Sequence, residues 1–293
     1  MVDGVLVAGP ENVPTDIRGD GFNARVLFSP LNQRIQVLSY EASHAGSLVQ
    51  SLANGARDAG FGKVFLKAPA HERATFEEAG MLAEATINGY FAGRPAVVMS
   101  LFLEEDRRLR PHADKEQAIL DSISSKPRSA LPVALPEGHT MSRAKRGDAD
   151  DLAALYGQVF ASYPFPITDP RYLIATMESK VAYRLVRNAR GKLVAAASAE
   201  IDLEHRNAEM TDFATLPETR GLGLAQHLLT ALEGDMSSRR ICNLYTIARA
   251  RSAGMNRVFF NNDYSWTGTL VNNCHIAGDF EDMHVWCKNT SAH

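Results

Sequence analysis

The sequence contains few cysteines, and they lie far apart. Its three cysteines in 293 residues are Cys242, Cys274 and Cys287, and no pair has the C-x-x-C spacing of a zinc or redox site. A disulfide framework needs an even set of closely spaced cysteines. We therefore expect reduced thiols, no disulfide bond and no bound metal.

Long apolar runs and an excess of basic residues are also missing. No segment reaches the roughly 18 consecutive apolar residues of a membrane-spanning helix, and residues 1–4 lack the basic start of a signal peptide. The formal net charge is −3, whereas nucleic-acid-binding proteins usually carry a basic surplus. The sequence therefore predicts a cytoplasmic protein with neither nucleic acid nor membrane as a partner.

The length and composition favour two folded domains. At 45% hydrophobic residues the chain can fill hydrophobic cores, and 293 residues correspond to about two domains of roughly 150 residues. A segment rich in Ser, Pro and charge separates two apolar regions. We predict an N-terminal domain over residues 1–125, a linker over 126–138 and a C-terminal domain over 139–293.

Hydrophobic periodicity in the C-terminal domain predicts the order β-α-(α)-β-β-β-α-β-α-β-β. Alternating or apolar runs predict strands at 141–146, 181–186, 193–201, 208–215, 243–248, 265–274 and 283–288. Helical spacing predicts helices after 147, at 222–232 and at 253–260. This order indicates an α/β protein of the α+β type, with a mixed, mostly antiparallel sheet and flanking helices.

The N-terminal domain is predicted to be a shorter copy of the same series. A strand at 35–40, helix 45–59, strand 64–68, helix 71–79 and a strand pair follow one another. In addition, residues 91–93 with 99–101 resemble residues 276–278 with 283–285. We therefore predict an internal repeat.

A glycine-rich turn is the segment that carries the most chemical information. The predicted strand that ends at Thr215 is followed by Arg220, Gly221 and Gly223, and a helix then begins. The unpaired N–H groups and the helix dipole at such a helix start form a site for a pyrophosphate. The Rossmann fingerprint needs a third glycine where Gln226 stands, and the Walker loop needs a Gly-Lys-Ser/Thr that is absent here.

The pattern Arg220-x-x-Gly223-x-Ala225 after a strand resembles the acetyl-CoA signature of the GNAT superfamily of N-acetyltransferases. This resemblance implies the GNAT fold for the C-terminal domain, a degenerate GNAT-like N-terminal domain, and acetyl-CoA as co-substrate. The implied cofactor-binding residues are the strand end, the turn, the helix start and a serine that replaces a pantetheine-contacting Asn: Phe213, Ala214, Thr215, Arg220, Gly221, Leu222, Gly223, Leu224, Ala225 and Ser252. For Ser252, capping of a helix is the alternative role.

Further motifs resemble the β-lysine N-acetyltransferase family. They begin at Tyr163 (YPFPI), Met210 (MTDFAT), Tyr245 (YTIARA), Gly268 (GTLVNN) and Glu281 (EDMHVW). The resemblance implies acetylation of the side-chain amine of a small diamino acid, β-lysine, to give the compatible solute N-ε-acetyl-β-lysine. The resemblance alone carries this substrate.

The same resemblance implies roles for several side chains. Asp212, on the strand before the turn, stands where this fold places its base or proton relay; a structural hydrogen bond is the alternative. The usual acid for the leaving thiolate corresponds to Phe259, so Tyr245 and Tyr264 are the candidate substitutes, and unassisted departure is the alternative. The candidate substrate-binding residues are Tyr163, Glu200, Asn272, Asn273 and Glu281. Strand alternation allows only one of the two asparagines to line a pocket.

Other functions remain open at the level of sequence. The missing tyrosine at position 259 is compatible with a silent module that binds acetyl-CoA, and the acceptor could also be a polyamine, an aminoglycoside or a protein lysine. The N-terminal domain has no R-x-x-G-x-G/A turn between Tyr40 and Ser47. We expect this domain to bind no cofactor and either to wall the acceptor pocket or to form a homodimer contact.

Overall fold

A single mixed sheet runs through the protein. The computed structural model describes residues 13–129, 134–276 and 278–290. Within these residues thirteen strands form the sheet in the order β1-β2-β3-β4-β6-β5-β12-β13-β11-β10-β9-β8-β7. The predicted fold class, a mostly antiparallel mixed sheet with flanking helices, is confirmed.

The N-terminal half supplies six strands and three helices. The strands are β1 (Pro14–Gly19), β2 (Phe22–Ser29), β3 (Arg34–Ala42), β4 (Lys63–Pro69), β5 (Leu82–Phe91) and β6 (Arg94–Phe102). The helices are α1 (Ala45–Asp58), α2 (Arg73–Glu78) and α3 (Ala113–Ser124). Leu48, Leu52 and Ala56 form a buried stripe at a spacing of four residues on α1, which packs them against this half of the sheet.

The C-terminal half supplies seven strands and four helices. The strands are β7 (Thr140–Arg143), β8 (Val181–Arg187), β9 (Leu193–Asp202), β10 (Asn207–Thr215), β11 (Asn243–Arg249), β12 (Ser265–Ile276) and β13 (Asp279–Asn289). The helices are α4 (Ala149–Val159), α5 (Pro170–Glu178), α6 (Leu224–Ser238) and α7 (Ala253–Asn261). In the order predicted for this half, the helix in parentheses corresponds to α5.

The same series of elements occurs twice. The run β1-β2-β3-α1-β4-α2-β5-β6 has the order of β8-β9-β10-α6-β11-α7-β12-β13, and each run contains one parallel pair, β3 with β4 and β10 with β11. The domain limits at 125 and 139 stay a prediction, and residues 1–12, 130–133, 277 and 291–293 lie outside the described part.

The two halves meet through both the sheet edge and an apolar layer. Gly268 of β12 pairs with Ala85 of β5, which continues the sheet from one half into the other. A separate hydrophobic cluster joins Phe65 and Val98 of the N-terminal half to Val285 and other residues of the C-terminal half. The N-terminal half therefore covers one face of the C-terminal sheet next to β11. No helix in the described residues has the length and apolar character to cross a membrane.

Candidate active site

A cleft opens where two parallel strands diverge. β10 and β11 are paired over three positions, and the last pair is Glu209 with Tyr245. Both strands then continue, to Thr215 and Arg249, without pairing to each other, and a cleft of about 610 Å³ lies along their free edges. The strands β10 and β11 form one wall of the cleft. Most of the remaining wall comes from the α4–α5 loop, the start of α6 and the helix α7.

The glycine-rich turn forms one end of this cleft. Gly221 and Gly223 have φ values of +82° and +73°, which few other residues adopt without strain, and Gly223 is the N-cap of α6. No side chain caps the helix, and the N–H groups of residues 221–225 have no acceptor within the described part of the chain. A side-chain Cβ at either glycine would meet no atom within 4 Å, and both glycines line the cleft, so the turn borders open space. The turn can therefore accept a large anion.

A β-bulge shapes the opposite end of the cleft. The pairing of β10 with β9 shifts register between Thr211 and Ala214, and Asp212 within the bulge has a φ of +53°. The bulge takes Asp212 and Phe213 out of the ladder and directs the Asp212 carboxylate toward Ser198, the ladder partner of Thr211.

Asp212 is buried, and each of its carboxylate oxygens accepts one hydrogen bond from a hydroxyl group. The Ser198 hydroxyl donates to its Oδ2 at 2.6 Å, and the Tyr163 hydroxyl donates to its Oδ1. Burial raises the pKa of Asp212 above its usual range, although these hydrogen bonds work in the opposite direction. The pKa of Tyr163 is also raised, by burial and by the adjacent Asp212 charge. The result is a carboxylate that is more basic than a free aspartate and that has a phenol in direct contact.

Most of the predicted cofactor-binding residues line the cleft. Those on its wall are Phe213, Thr215, Arg220, Gly221, Gly223, Leu224, Ala225 and Ser252. Ala214 is fully buried beneath it and Leu222 is exposed beside it. Ser252 occupies the N-cap position of α7, but its hydroxyl makes no cap hydrogen bond, so it is available to a molecule in the cleft.

The two tyrosines predicted as substitutes for the missing acid lie outside the cleft, whereas Phe259 lines it. Tyr264 is fully buried behind Phe259, at 5.2 Å between ring centroids. Tyr245 lies beyond the closed end of the cleft, where Lys67 donates to its hydroxyl oxygen. Among the described lining residues Tyr163 is the one tyrosine.

Three of the predicted substrate-binding residues also lie elsewhere. Asn272 donates to the carbonyl oxygens of Arg107 and Leu109, and Glu281 pairs with Arg249 and Arg251. Asn273 is 1% exposed and does not reach the cleft surface. Asn272, Asn273 and Glu281 are therefore not part of the proposed acceptor site.

Glu200 lies close to the closed end of the cleft because β9 pairs it with Glu209. Neither Glu209 nor Lys67 was predicted from sequence. Alternation along β10 gives Glu209 the same face as Thr211, and this pattern could have identified it. Lys67 comes from β4, and no sequence signal connects it to β11.

The sequence did not predict that β11 lines the cleft. Four consecutive residues of this strand line the cleft, Thr246, Ile247, Ala248 and Arg249. The predicted strand at 243–248 contains most of them, but only its parallel pairing with β10 shows which edge it presents. Within the described residues no group of three His, Cys, Asp or Glu side chains forms a metal site.

Comparison with known proteins agrees with this geometry. The model of the Acetyltransferase (GNAT) family matches residues 150–260, which include the turn and both strands of the cleft. The chain is 35% identical to a β-lysine N(6)-acetyltransferase of Methanococcus maripaludis over 90% of this chain and 95% of that protein.

Two further relatives match over similar lengths. The N-acetyltransferase YodP of Bacillus subtilis is 35% identical over 93% of this chain and 98% of its own length. A β-lysine N(6)-acetyltransferase of Methanosarcina mazei is 36% identical over 78% of this chain and 91% of its own length. The chain belongs to the GNAT family of acetyltransferases and is an N-acetyltransferase.

Proposed function

We propose that this enzyme transfers the acetyl group of acetyl-CoA to the side-chain amine of a small diamino acid, with β-lysine as the acceptor. One observation carries the proposal: a single cleft between diverging strands has an anion-binding turn at one end and a basic carboxylate at the other. Two relatives named β-lysine N(6)-acetyltransferases support the choice of acceptor.

The residues at the turn fit the cofactor. The free amides of residues 221–225 and the N-terminus of α6 would hold its pyrophosphate, with Arg220 nearby to neutralise charge. The free edges of β10 and β11, together with Ser252, would hold its amide-containing arm. When bound, acetyl-CoA supplies a thioester whose carbonyl carbon an amine can attack.

Asp212 and Tyr163 supply the proton-handling groups. An alkylamine with a pKa near 10.4 is almost entirely protonated at pH 7 and must lose a proton before it can attack. Asp212, with its raised pKa, can accept this proton directly or through water, and Tyr163 fixes the orientation of its carboxylate. Phe259 carries no acidic hydrogen, so we propose that the thiolate leaves without a proton from that position.

The charge of the acceptor end suits a diamino acid. Asp212, Glu200 and Glu209 bring three carboxyl groups together, and a cationic acceptor would stabilise their ionised forms. β-Lysine carries two ammonium groups and one carboxylate. Its side-chain acetylation leaves one charge of each sign, and this neutral product suits the role of a compatible solute.

Acceptor screening tests the proposal. Thiol release from acetyl-CoA would be followed with β-lysine, α-lysine, spermidine, an aminoglycoside and a lysine-containing peptide, and mass spectrometry would identify the acetylated nitrogen. We expect the highest kcat/KM with β-lysine and a product acetylated at its side-chain amine. A higher kcat/KM with spermidine, the aminoglycoside or the peptide would exclude β-lysine as the preferred acceptor.

A further inference from the structure

A cluster of polar and aromatic side chains adjoins the closed end of the cleft. It consists of Lys67, Tyr90, Glu200, Glu209 and Tyr245, and we name it the acceptor recess. Glu209 and Tyr245 are the last paired residues of β10 and β11, and Thr211 and Ile247, two positions further on the same faces, line the cleft. The recess and the cleft are therefore neighbouring parts of one site.

The carboxylates of the recess repel one another. Glu200 and Glu209 are directly opposite across the β9–β10 ladder. Burial, followed by the charges of Glu209 and Asp212, raises the pKa of Glu200 to about 8, and burial also raises the pKa of Glu209. Glu200 is nevertheless exposed to solvent, so a small molecule can reach it. A cationic group of a ligand would relieve this repulsion.

Lys67, which comes from the N-terminal half, is the lysine that contacts both tyrosines of this recess, and the charge of Lys180 acts on Glu200. The Lys67 Nζ lies 3.1 Å from the Tyr245 hydroxyl and 3.5 Å from the Tyr90 hydroxyl, and 4.9 Å and 5.1 Å from the centroids of the Tyr90 and Tyr245 rings. Burial acts to lower the pKa of Lys67, but the neighbouring Tyr90 and Glu209 outweigh it and raise the pKa, so the side chain stays an ammonium.

A second buried lysine on the same strand shows what Lys67 lacks. Lys63 forms an ion pair with Glu84 at 2.8 Å. By contrast, no carboxylate oxygen of any described residue lies within 4.0 Å of the Lys67 Nζ. Lys67 donates to tyrosine hydroxyls instead, and Glu200 and Glu209 act on it from beyond ion-pair distance, so the ammonium has capacity for a ligand carboxylate.

We infer that Lys67 binds the carboxylate of the acceptor and makes the enzyme select diamino acids over plain diamines. This inference rests on the proposed function. Lys67 contacts Tyr245, which pairs with Glu209, and Asp212 contacts Ser198, which pairs with Thr211. Glu209 and Thr211 are two residues apart on β10, or roughly 7 Å along the strand, and a six-carbon acceptor can span this distance. Glu200 and Glu209 then face the second ammonium group of the acceptor.

The test compares β-lysine with β-lysinamide, which has the same shape but no negative charge. We expect the wild-type enzyme to have a kcat/KM for β-lysine about 30-fold or more above that for β-lysinamide. Lys67→Met should remove this preference by lowering kcat/KM for β-lysine, with little change for β-lysinamide. Lys67→Arg should retain much of it. Lys115→Met, at an exposed position on α3, is the matched control and should behave as wild type.

The outcomes separate the inference from the function on which it rests. If the wild-type enzyme acetylates the acid and the amide equally well, Lys67 does not bind the carboxylate. This result is obtained with the wild-type enzyme alone, so it does not depend on whether a variant folds. If Lys67→Met retains the wild-type preference, the lysine has only a structural role between the two tyrosines. If the wild-type enzyme acetylates neither compound but acetylates another acceptor class, the proposed function fails and the inference falls with it.

Discussion

Asp212 combines the properties that a proton acceptor in this cleft needs. Its carboxylate is buried, is oriented by two hydroxyl donors, and has a raised pKa. The family resemblance points to this residue because it lies on the strand before the glycine-rich turn, and its role in proton transfer stays a prediction. The sequence could not identify Ser198 as a partner, because that contact depends on the bulge that turns Asp212 toward β9.

Asp212→Asn should lower kcat by roughly 10²- to 10⁴-fold, because the amide cannot accept the proton of the acceptor. The dissociation constant of acetyl-CoA should stay within about twofold of wild type, since the anion-binding amides are unchanged. Steady-state kinetics and titration calorimetry measure the two effects. Asp263→Asn is the matched control, because Asp263 is an exposed aspartate with a similar φ of +66°. Equal kcat values for wild type and Asp212→Asn would remove Asp212 from the mechanism.

Glu200 should make acceptor binding dependent on pH. Below its pKa of about 8 the side chain is mainly neutral, and above this value it is a carboxylate that attracts ammonium. The dissociation constant of β-lysine for the enzyme saturated with CoA should therefore fall as the pH rises from about 7 to 9, most steeply near pH 8. The Glu200→Gln variant should bind β-lysine weakly, with a dissociation constant that does not change over this pH range. An identical pH profile in both proteins would show that Glu200 does not titrate against the acceptor.

At the scale of elements, periodicity predicted most strands and helices but missed the first hairpin. β2 alternates clearly, with Phe22, Ala24 and Val26 buried, so the signal was available. In β1 only Ile17 is buried, and such an edge strand has no pattern to detect. The splayed cleft itself follows from strand pairing, which periodicity within one strand cannot reveal.

A bulge in β12 is held by side chains from the N-terminal half. The pairing of β12 with β13 is interrupted between Leu270 and Cys274. Within this segment the Val271 N–H donates to Glu84 at 2.6 Å, and Lys63 donates to the Val271 carbonyl oxygen at 2.7 Å. The Lys63–Glu84 pair thus satisfies backbone groups that the ladder leaves free.

Glu84→Ala should lower the free energy of unfolding by about 3–5 kcal/mol, because it leaves Lys63 buried without its anion and Val271 without its acceptor. Urea denaturation measures the change. Glu78→Ala, at an exposed site on α2, should change the free energy of unfolding by less than about 0.5 kcal/mol. A loss below about 1 kcal/mol for Glu84→Ala would mean that the junction does not depend on this pair.

At the scale of the whole molecule, the two halves resemble each other in topology but differ at the helix start next to their parallel strands. In the C-terminal half Gly223 precedes α6 in a left-handed conformation, whereas in the N-terminal half His44 precedes α1 with an extended φ of −133°. The sequence shows no R-x-x-G-x-G/A pattern between Tyr40 and Ser47, and the absence of a cofactor site in this half stays a prediction. The sequence could not predict that the N-terminal half would contribute Lys67 to the acceptor recess, because that contact joins residues 178 positions apart.

Deletion of residues 1–125 should abolish soluble expression. The truncated chain would lose the partners of Val271 and would expose the apolar layer that Phe65 and Val98 cover in the whole protein. The soluble fraction and the elution volume on size exclusion measure this effect, with the full-length chain as the control. A soluble truncation with full acetyltransferase activity would show that the C-terminal half is independent.

The central claim is that the amides of residues 221–225 bind the pyrophosphate of acetyl-CoA, and calorimetric titration of acetyl-CoA tests it most directly. Gly223→Trp should abolish binding because a large side chain would fill the open space before these amides. Gly191→Trp is the matched control: its φ of +75° imposes a similar backbone strain in a turn outside the cleft, and it should bind as tightly as wild type. Unchanged binding by a folded Gly223→Trp variant, or no binding by the wild-type protein, would contradict the account.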